Sequence, residues 1–367
     1  MALRTDPPFR ADHVGSLLRP PELKEARAKR ASGAITAEEL RAVEDLSIKD
    51  VIAKQEAVGL ESVTDGEFRR AWWHLDFLEG LEGVEGYQAA QGIAFHAGET
   101  KPRAVRAVGK IRFNGHPFID HYKFVHANTK KTAKMTIPSP SVLYHRGGRA
   151  AVSPAVYPNL PDFFHDLGEA YKATVTAFGQ AGCTYLQLDE VNFTYLCDPD
   201  QLQLLRERGD DPDQLPGIYA AMINQAISGR TPGMRMTMHL CRGNFRSMWI
   251  ARGGYEPVAD VLFNQIDIDA YFMEWDTERA GGFEPLRLVP KNKQVVLGLV
   301  TTKAGTLESK EFLKRRLEEA SKFIDLDQLC LSPQCGFAST EEGNVLSEDE
   351  QWTKLRLVVE LAREVWG

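Results

Sequence analysis

Short apolar runs that end on polar residues recur along the chain, and most lead into a stretch with helical spacing. The runs are Asp12-His-Val-Gly-Ser16, Glu61-Ser-Val-Thr-Asp-Gly-Glu67, Ala133-Lys-Met-Thr-Ile-Pro138 and Thr184-Tyr-Leu-Gln-Leu-Asp-Glu190. Four more are Arg235-Met-Thr-Met-His-Leu-Cys241, Ala270-Tyr-Phe-Met-Glu-Trp275, Gln294-Val-Val-Leu-Gly-Leu-Val300 and Gln328-Leu-Cys-Leu-Ser332. Residues 39–58, 163–181, 217–228 and 309–324 instead repeat apolar positions every three or four residues, the period of a helix with one buried face. Eight strands alternating with helices predict parallel βα units. Their simplest closure is an α/β (β/α)8 TIM barrel spanning residues 1–367 as one domain. The polar residues fall at the C-terminal ends of the strands, the face on which such barrels carry chemistry.

Residues 80–126 break the pattern. Ala104-Val-Arg-Ala-Val-Gly-Lys-Ile-Arg-Phe113 alternates with period two and predicts an exposed β ribbon, inserted at about 80–126 before strand three. Gly33 predicts a break in the N-terminal helical arm, and the polar segment 198–214 predicts a solvated excursion after strand four. No internal repeat, low-complexity tract or flexible linker divides the chain.

Composition narrows the function classes. Of 367 residues 43% are hydrophobic and 26% charged, the profile of an ordinary globular enzyme or binding protein. A net charge of −7 without a clustered Lys/Arg stripe argues against nucleic acid as a partner. No apolar run reaches the length that spans a bilayer, and the start lacks the apolar core of a signal peptide. Five scattered cysteines do not make a disulfide framework, so a cytoplasmic, reducing location is expected.

Those cysteines matter chemically. His239 and Cys241 close one strand run two positions apart, so period two aims both side chains the same way. Glu274 and Cys335 close two other runs. Two thiolates, an imidazole and a carboxylate are a donor set that suits Zn²⁺, and a zinc site of this kind can hold a substrate thiol as a thiolate, which points to thiol alkylation. Cys183 and Cys330 read as packed strand residues, and Cys197 as partly exposed. In Leu188-Asp-Glu190 only one of the two carboxylates can face the barrel mouth. Gly66 permits a tight turn that projects Glu67 over the site; the alternative is an ion pair with Arg69 or Arg70. Gly15-Ser16 forms a short elbow whose N–H groups suit a carboxylate. Trp72-Trp-His74 lines a pocket wall or covers a helix end, with His74 a weaker catalytic candidate. Arg146-Gly-Gly-Arg149 lacks phosphate-loop spacing. Lys303, after strand seven, is either a cation at the mouth or a solvated loop lysine.

From His13-Val-Gly-Ser-Leu17 through Asp65-Gly-Glu67, Gln187-Leu-Asp-Glu190, His239-Leu-Cys241 and Glu274 to Ser332-Pro-Gln-Cys-Gly336, the chain resembles the catalytic C-terminal half of cobalamin-independent methionine synthase. The resemblance covers nearly the whole chain, and single-barrel members of that group look closer overall. It implies a 5-methyltetrahydropteroyltriglutamate–homocysteine methyltransferase-like enzyme. Zinc, held by His239, Cys241, Glu274 and Cys335, would activate homocysteine, and the product would be methionine. It also implies that Ser16, Glu67 and Asp189 bind the amino-acid end of the substrate. Asp189 and Lys303 are then the catalytic candidates, Lys303 standing where the family has a histidine implicated in proton transfer. The methyl-donor half transfers less well. There is no second barrel's worth of sequence, and Pro138-Ser-Pro-Ser-Val-Leu-Tyr144 lacks the tryptophan expected near a pterin. The donor is therefore open between a folate and a methyl-corrinoid on a partner protein. Epoxyalkane:coenzyme M transferase, another zinc thiol alkyltransferase, is similar in plan, and a non-catalytic zinc-stabilised binding protein is the remaining alternative.

Overall fold

The apolar runs from Met135 onward become buried parallel strands. A computed structural model describes residues 4–367, and in it six strands pair side by side: Met135–Pro138, Tyr185–Glu190, Arg235–Leu240, Ala270–Glu274, Gln294–Val300 and Leu329–Pro333. Ser62–Val63 pairs in parallel with Thr132–Ala133, which runs directly into the first of the six. At the other edge Ala11 bridges Leu331, with Asp12 N donating to Leu331 O at 3.0 Å. The remaining seam is closed largely by side chains: Ser62 Oγ donates to Asp12 Oδ1 at 2.9 Å, and Thr64 Oγ1 donates to Gly15 O at 2.6 Å. The fold is a (β/α)8 barrel.

Strand alternation sorts the core into two regions. Val14, Tyr185, Phe272, Val296 and Cys330 form a buried cluster inside the barrel. The intervening residues, among them Leu186, Leu188, Met238 and Met273, join the larger core against the helices. Helix Ala37–Val58 begins on a reciprocal cap between Thr36 and Glu39 and ends on left-handed Gly59. Leu160–Gln180, Leu215–Ile227, Lys310–Ala320 and Glu348–Trp366 continue the outer ring. No helix among the described residues is long and apolar enough to cross a membrane.

The ribbon consists of Glu82–Gln88 paired antiparallel with Arg103–Arg112. It stops short of the expected boundary at 126. Pro117–Ala127 is a helix of the barrel ring, burying Phe118, Tyr122 and Val125 at helical spacing and touching the helices Ala37–Val58 and Leu160–Gln180. The excursion at 198–214 also contains order: Pro199–Glu207 is helical, capped by the Asp198 carboxylate and anchored by Leu205. Its polarity marks the outer face of a helix. Cys197 is buried, contrary to expectation, because the turn at Gly253 packs directly onto it.

Candidate metal centre and substrate cleft

Strand pairing places Asp189 opposite His239, and Glu274 closes the next strand along. Cys241 follows the end of its own strand, held by its N–H donating to Glu190 O at 2.9 Å, and Cys335 follows Pro333 on the eighth. The four expected donors meet. One donor atom from each of His239, Cys241, Glu274 and Cys335 lies within 4.8 Å of the others, and all four residues are buried. Cys241 Sγ and Cys335 Sγ are 3.5 Å apart, and His239 Nε2 lies 3.4 Å from Cys335 Sγ. A tetrahedral zinc with bonds of about 2.3 Å to sulfur would set neighbouring sulfurs about 3.7 Å apart. The spacing and the donor chemistry therefore fit that ion.

The surroundings prepare each donor. His239 Nδ1 lies 3.3 Å from Phe272 O, a contact that as a hydrogen bond fixes the proton there and leaves Nε2 a free lone pair. Glu274 accepts from Arg242 N at 2.8 Å through Oε1 and from Arg279 Nη2 at 3.0 Å through Oε2. Cys335 is held well below the ordinary thiol range by its hydrogen bond from Cys241, with the nearby His239 adding to this against the cost of burial. Arg279, five residues beyond Glu274, was missed by sequence reasoning because nothing in linear spacing ties it to that carboxylate. The N–H of Arg242 is a backbone group that any residue would supply, so it left no signal.

Beside the donors lies a narrow cleft, walled by Ser16, Glu67, Trp72, Asp189, Asn244 and Tyr195 among others. Trp73 and His74 also line it. Glu67 arrives there through an unusual backbone: Gly66 and Glu67 have φ of 65° and 63°, and the second is left-handed without being glycine. Asp65 Oδ1 supports the turn by accepting from Glu67 N at 2.8 Å. Glu67 Oε1 accepts from Thr136 Oγ1 at 3.0 Å and pairs with Arg70 at 3.5 Å, while the buried Oε2 has no partner among the described residues. Burial raises this carboxyl to about 7 despite the opposing pull of Arg70. Asp189 is raised to about 6, chiefly by burial, and accepts from Gln187 Nε2 at 2.7 Å. Its neighbour Glu190 turns away from the cleft to accept from Ser141 Oγ and from Asn192 N. Arg69 pairs with Glu44 and Asp45, so of the two neighbouring arginines it is Arg70 that pairs with Glu67.

Ser16 Oγ lies in the cleft wall and accepts from Ala338 N at 3.4 Å. Lys303 does not line the cleft. Its Nζ reaches Asn244 Oδ1 at 3.4 Å, close enough for its charge to favour both thiolates.

Residues 9–364 match the family model described as "Cobalamin-independent synthase, Catalytic domain". The chain is 50% identical to the uncharacterized protein YxjH of Bacillus subtilis, covering 98% of this chain and 95% of that one. It is 23% identical to a methionine synthase of Pyrococcus abyssi over 88% of this chain and 84% of the relative. A crystal structure of the putative vitamin-B12 independent methionine synthase from Listeria monocytogenes superposes with a TM-score of 0.81. That protein is 42% identical, with 99% of this chain and 100% of that one covered.

Proposed function

The chain belongs to the cobalamin-independent methionine synthase family, whose catalytic domain it spans, and on that premise we propose that it methylates the thiol of homocysteine to give methionine. The observation that carries this reading is one cleft that joins a Cys/Cys/His/Glu quartet to a buried carboxylate oxygen with no partner, Glu67 Oε2. Thiol chemistry and ammonium recognition are thus side by side. When bound by His239, Cys241, Glu274 and Cys335, zinc supplies the Lewis acidity that makes a thiol ionise near neutral pH.

The rest is done by the chain's own groups. Glu67 and Asp189 accept hydrogen bonds from the substrate ammonium, a charge-assisted contact that offsets the desolvation of both partners. The Ser16 elbow faces the carboxylate. Asp189, across the strand pair from His239, takes the thiol proton. The sulfur then attacks the methyl carbon; the S–C bond forms as the bond from methyl to donor breaks, and that electron pair leaves with the donor. Lys303 acts at one remove as a positioning residue, its charge balancing the negative thiol ligands through Asn244.

Alkylation of a sulfonated thiol is less well supported, because two buried carboxylates, Glu67 and Asp189, line the cleft beside the quartet against one arginine, Arg146. A purely structural metal role is likewise disfavoured by the cleft opening at the donor atoms. The test is X-ray absorption at the zinc edge of zinc-loaded protein with and without homocysteine. An added sulfur scatterer is expected; an unchanged shell would remove the thiol-binding reading.

A further inference from the structure

In the connection between the two ribbon strands, Ala94–Phe95 and Gly98–Glu99 pair as a small hairpin, and Ile93, Phe95 and Thr100 supply one wall of the thiol cleft. Little internal structure holds this hairpin. Each strand is two residues long, and Ala94 and residues 96–99 are exposed. Lys101 ties its far end to Glu341 at 3.2 Å and Glu342 at 3.5 Å across the surface. The near end rests on the loop after the fifth strand. His96 N donates to Trp249 O at 3.0 Å, and Trp249 N donates to His96 Nδ1 at 3.1 Å. The two rings stack with centroids 4.6 Å apart and planes within 14°.

The same indole meets the metal centre. Arg279 Cζ lies 5.1 Å from the centroid of the Trp249 ring, a cation–π distance. Arg279 is also the side chain that holds Glu274, whose two oxygens are secured differently. Oε1 is fixed by a backbone group, Arg242 N, whereas Oε2 depends on Arg279 Nη2, which it shares with Asp276 Oδ1 at 3.4 Å. Arg279 Nε is buried without an acceptor. No hydrogen bond on that edge sets the plane of the guanidinium, and the indole face takes that part. A continuous path of contact therefore runs from His96 through Trp249 and Arg279 to a metal donor.

We propose that Trp249 is a positioning residue for Glu274 and that the hairpin is a lid whose closed state is read out at the metal site. Seating His96 on Trp249 closes the cleft and steadies Arg279, and through it Glu274 Oε2. A short, exposed hairpin is the cheapest part of the wall to open, and its opening admits reactants while loosening one donor. That the enclosed reactant is a thiol rests on the reading above; the tie from hairpin to Glu274 stands on its own contacts.

The experiment follows transfer of zinc from loaded protein to excess 4-(2-pyridylazo)resorcinol. His96→Ala and Trp249→Leu should each speed transfer by about tenfold, the lower end for groups that orient a metal donor. Trp249→Phe should recover most of the loss. The double variant should release zinc no faster than Trp249→Leu alone, because both changes break one path. His96 is exposed, so its variant tests the idea without disturbing the core. Unchanged release in either single variant would overturn the proposal, as would multiplied effects in the double. Saturating homocysteine should also slow hydrogen exchange in residues 93–100 of the parent but not of His96→Ala. Thiol bound at the zinc edge with exchange unchanged would remove the lid. Zinc release that depends on His96 and Trp249 in a protein that ignores homocysteine would keep the tie and remove the thiol reading instead.

Discussion

Glu67 concentrates several costs at one position. It sits at φ 63°, a conformation worth on the order of 1 kcal/mol or more of strain for a residue with a Cβ, and it buries a carboxylate oxygen without a donor. The second cost falls if an ammonium occupies the cleft, because that partner supplies the missing donor and favours the charged form. Glu67→Gln keeps the shape but loses the charge. Its affinity for homocysteine should drop at least about tenfold, while a simple thiol without an amino group should bind almost as before. Isothermal titration of both thiols decides this, and equal losses would show that Glu67 only shapes the turn.

At the scale of elements, the loop after the eighth strand is what completes the substrate cleft. Phe337 N donates to Ser16 O at 2.9 Å, and a Cβ on Gly336 would stand 1.9 Å from Ser16 Oγ. Gly336→Ala should therefore displace Ser16 and raise the KM for homocysteine while zinc stoichiometry stays at one per chain. An unchanged KM would count against a role for Ser16 in the site. The same region shows which elements sequence patterning can and cannot reveal. The strands at 185–190, 235–240 and 270–274 were legible because they are apolar runs buried on both faces. The first expected strand, 12–16, reduces to a bridge at Ala11. Asp12 explains why: its carboxylate accepts from Phe9 N and His13 N, taking backbone donors that a ladder would use. The metal donors were legible by residue type. The unpartnered Oε2 of Glu67 was not, since pairing depends on Arg70 and Thr136, which come together only in the fold.

At the scale of the whole molecule, two predictions follow from charge. Burial holds His13 and His116 at about 4 and His145 at about 3, and His74 is also well below its usual value. Between pH 6.5 and 4 the unfolded chain binds protons at these sites that the folded chain refuses, so their stability contribution is lost as pH falls through that window. Glu67 and Asp189, raised to about 7 and about 6, act in the opposite sense: their contribution is present at low pH and lost as pH rises. Burial raises Glu44, Glu190 and Asp276 in that same sense. The histidines, with His121 at about 4, are joined by carboxyls held below their usual range by hydrogen-bond and ion-pair partners, among them Glu342 and Glu348. The melting temperature should therefore decline on acidification from pH 6.5 to 4; a flat profile across that range in calorimetry would contradict this balance. The second concerns the donor. A polyglutamate tail is a string of carboxylates that needs an extended basic track. Here the net charge is −7, and three arginines border one short cleft. 5-Methyltetrahydrofolate polyglutamate should be a poor donor for this chain alone, compared with a smaller donor or a methyl-corrinoid presented by a partner protein. Methionine formation measured with each donor separately checks this, and fast turnover with the folate alone would restore the ordinary folate-dependent reading.

The four metal donors do not come from one stretch of chain. His239 and Cys241 end the fifth strand, Glu274 the sixth, and Cys335 lies beyond the eighth, across the strand Gln294–Val300 that contributes none. An ion shared among them is thus a clasp over the rim, tying the segment after Cys335 to strands that are distant in sequence. Binding energy at the site becomes local folding energy for that rim. Chelation should leave the circular dichroism of the barrel intact yet expose residues 336–346 to limited proteolysis, with zinc restoring resistance. In such a protein the supply of metal would govern how long the chain survives as well as how fast it works.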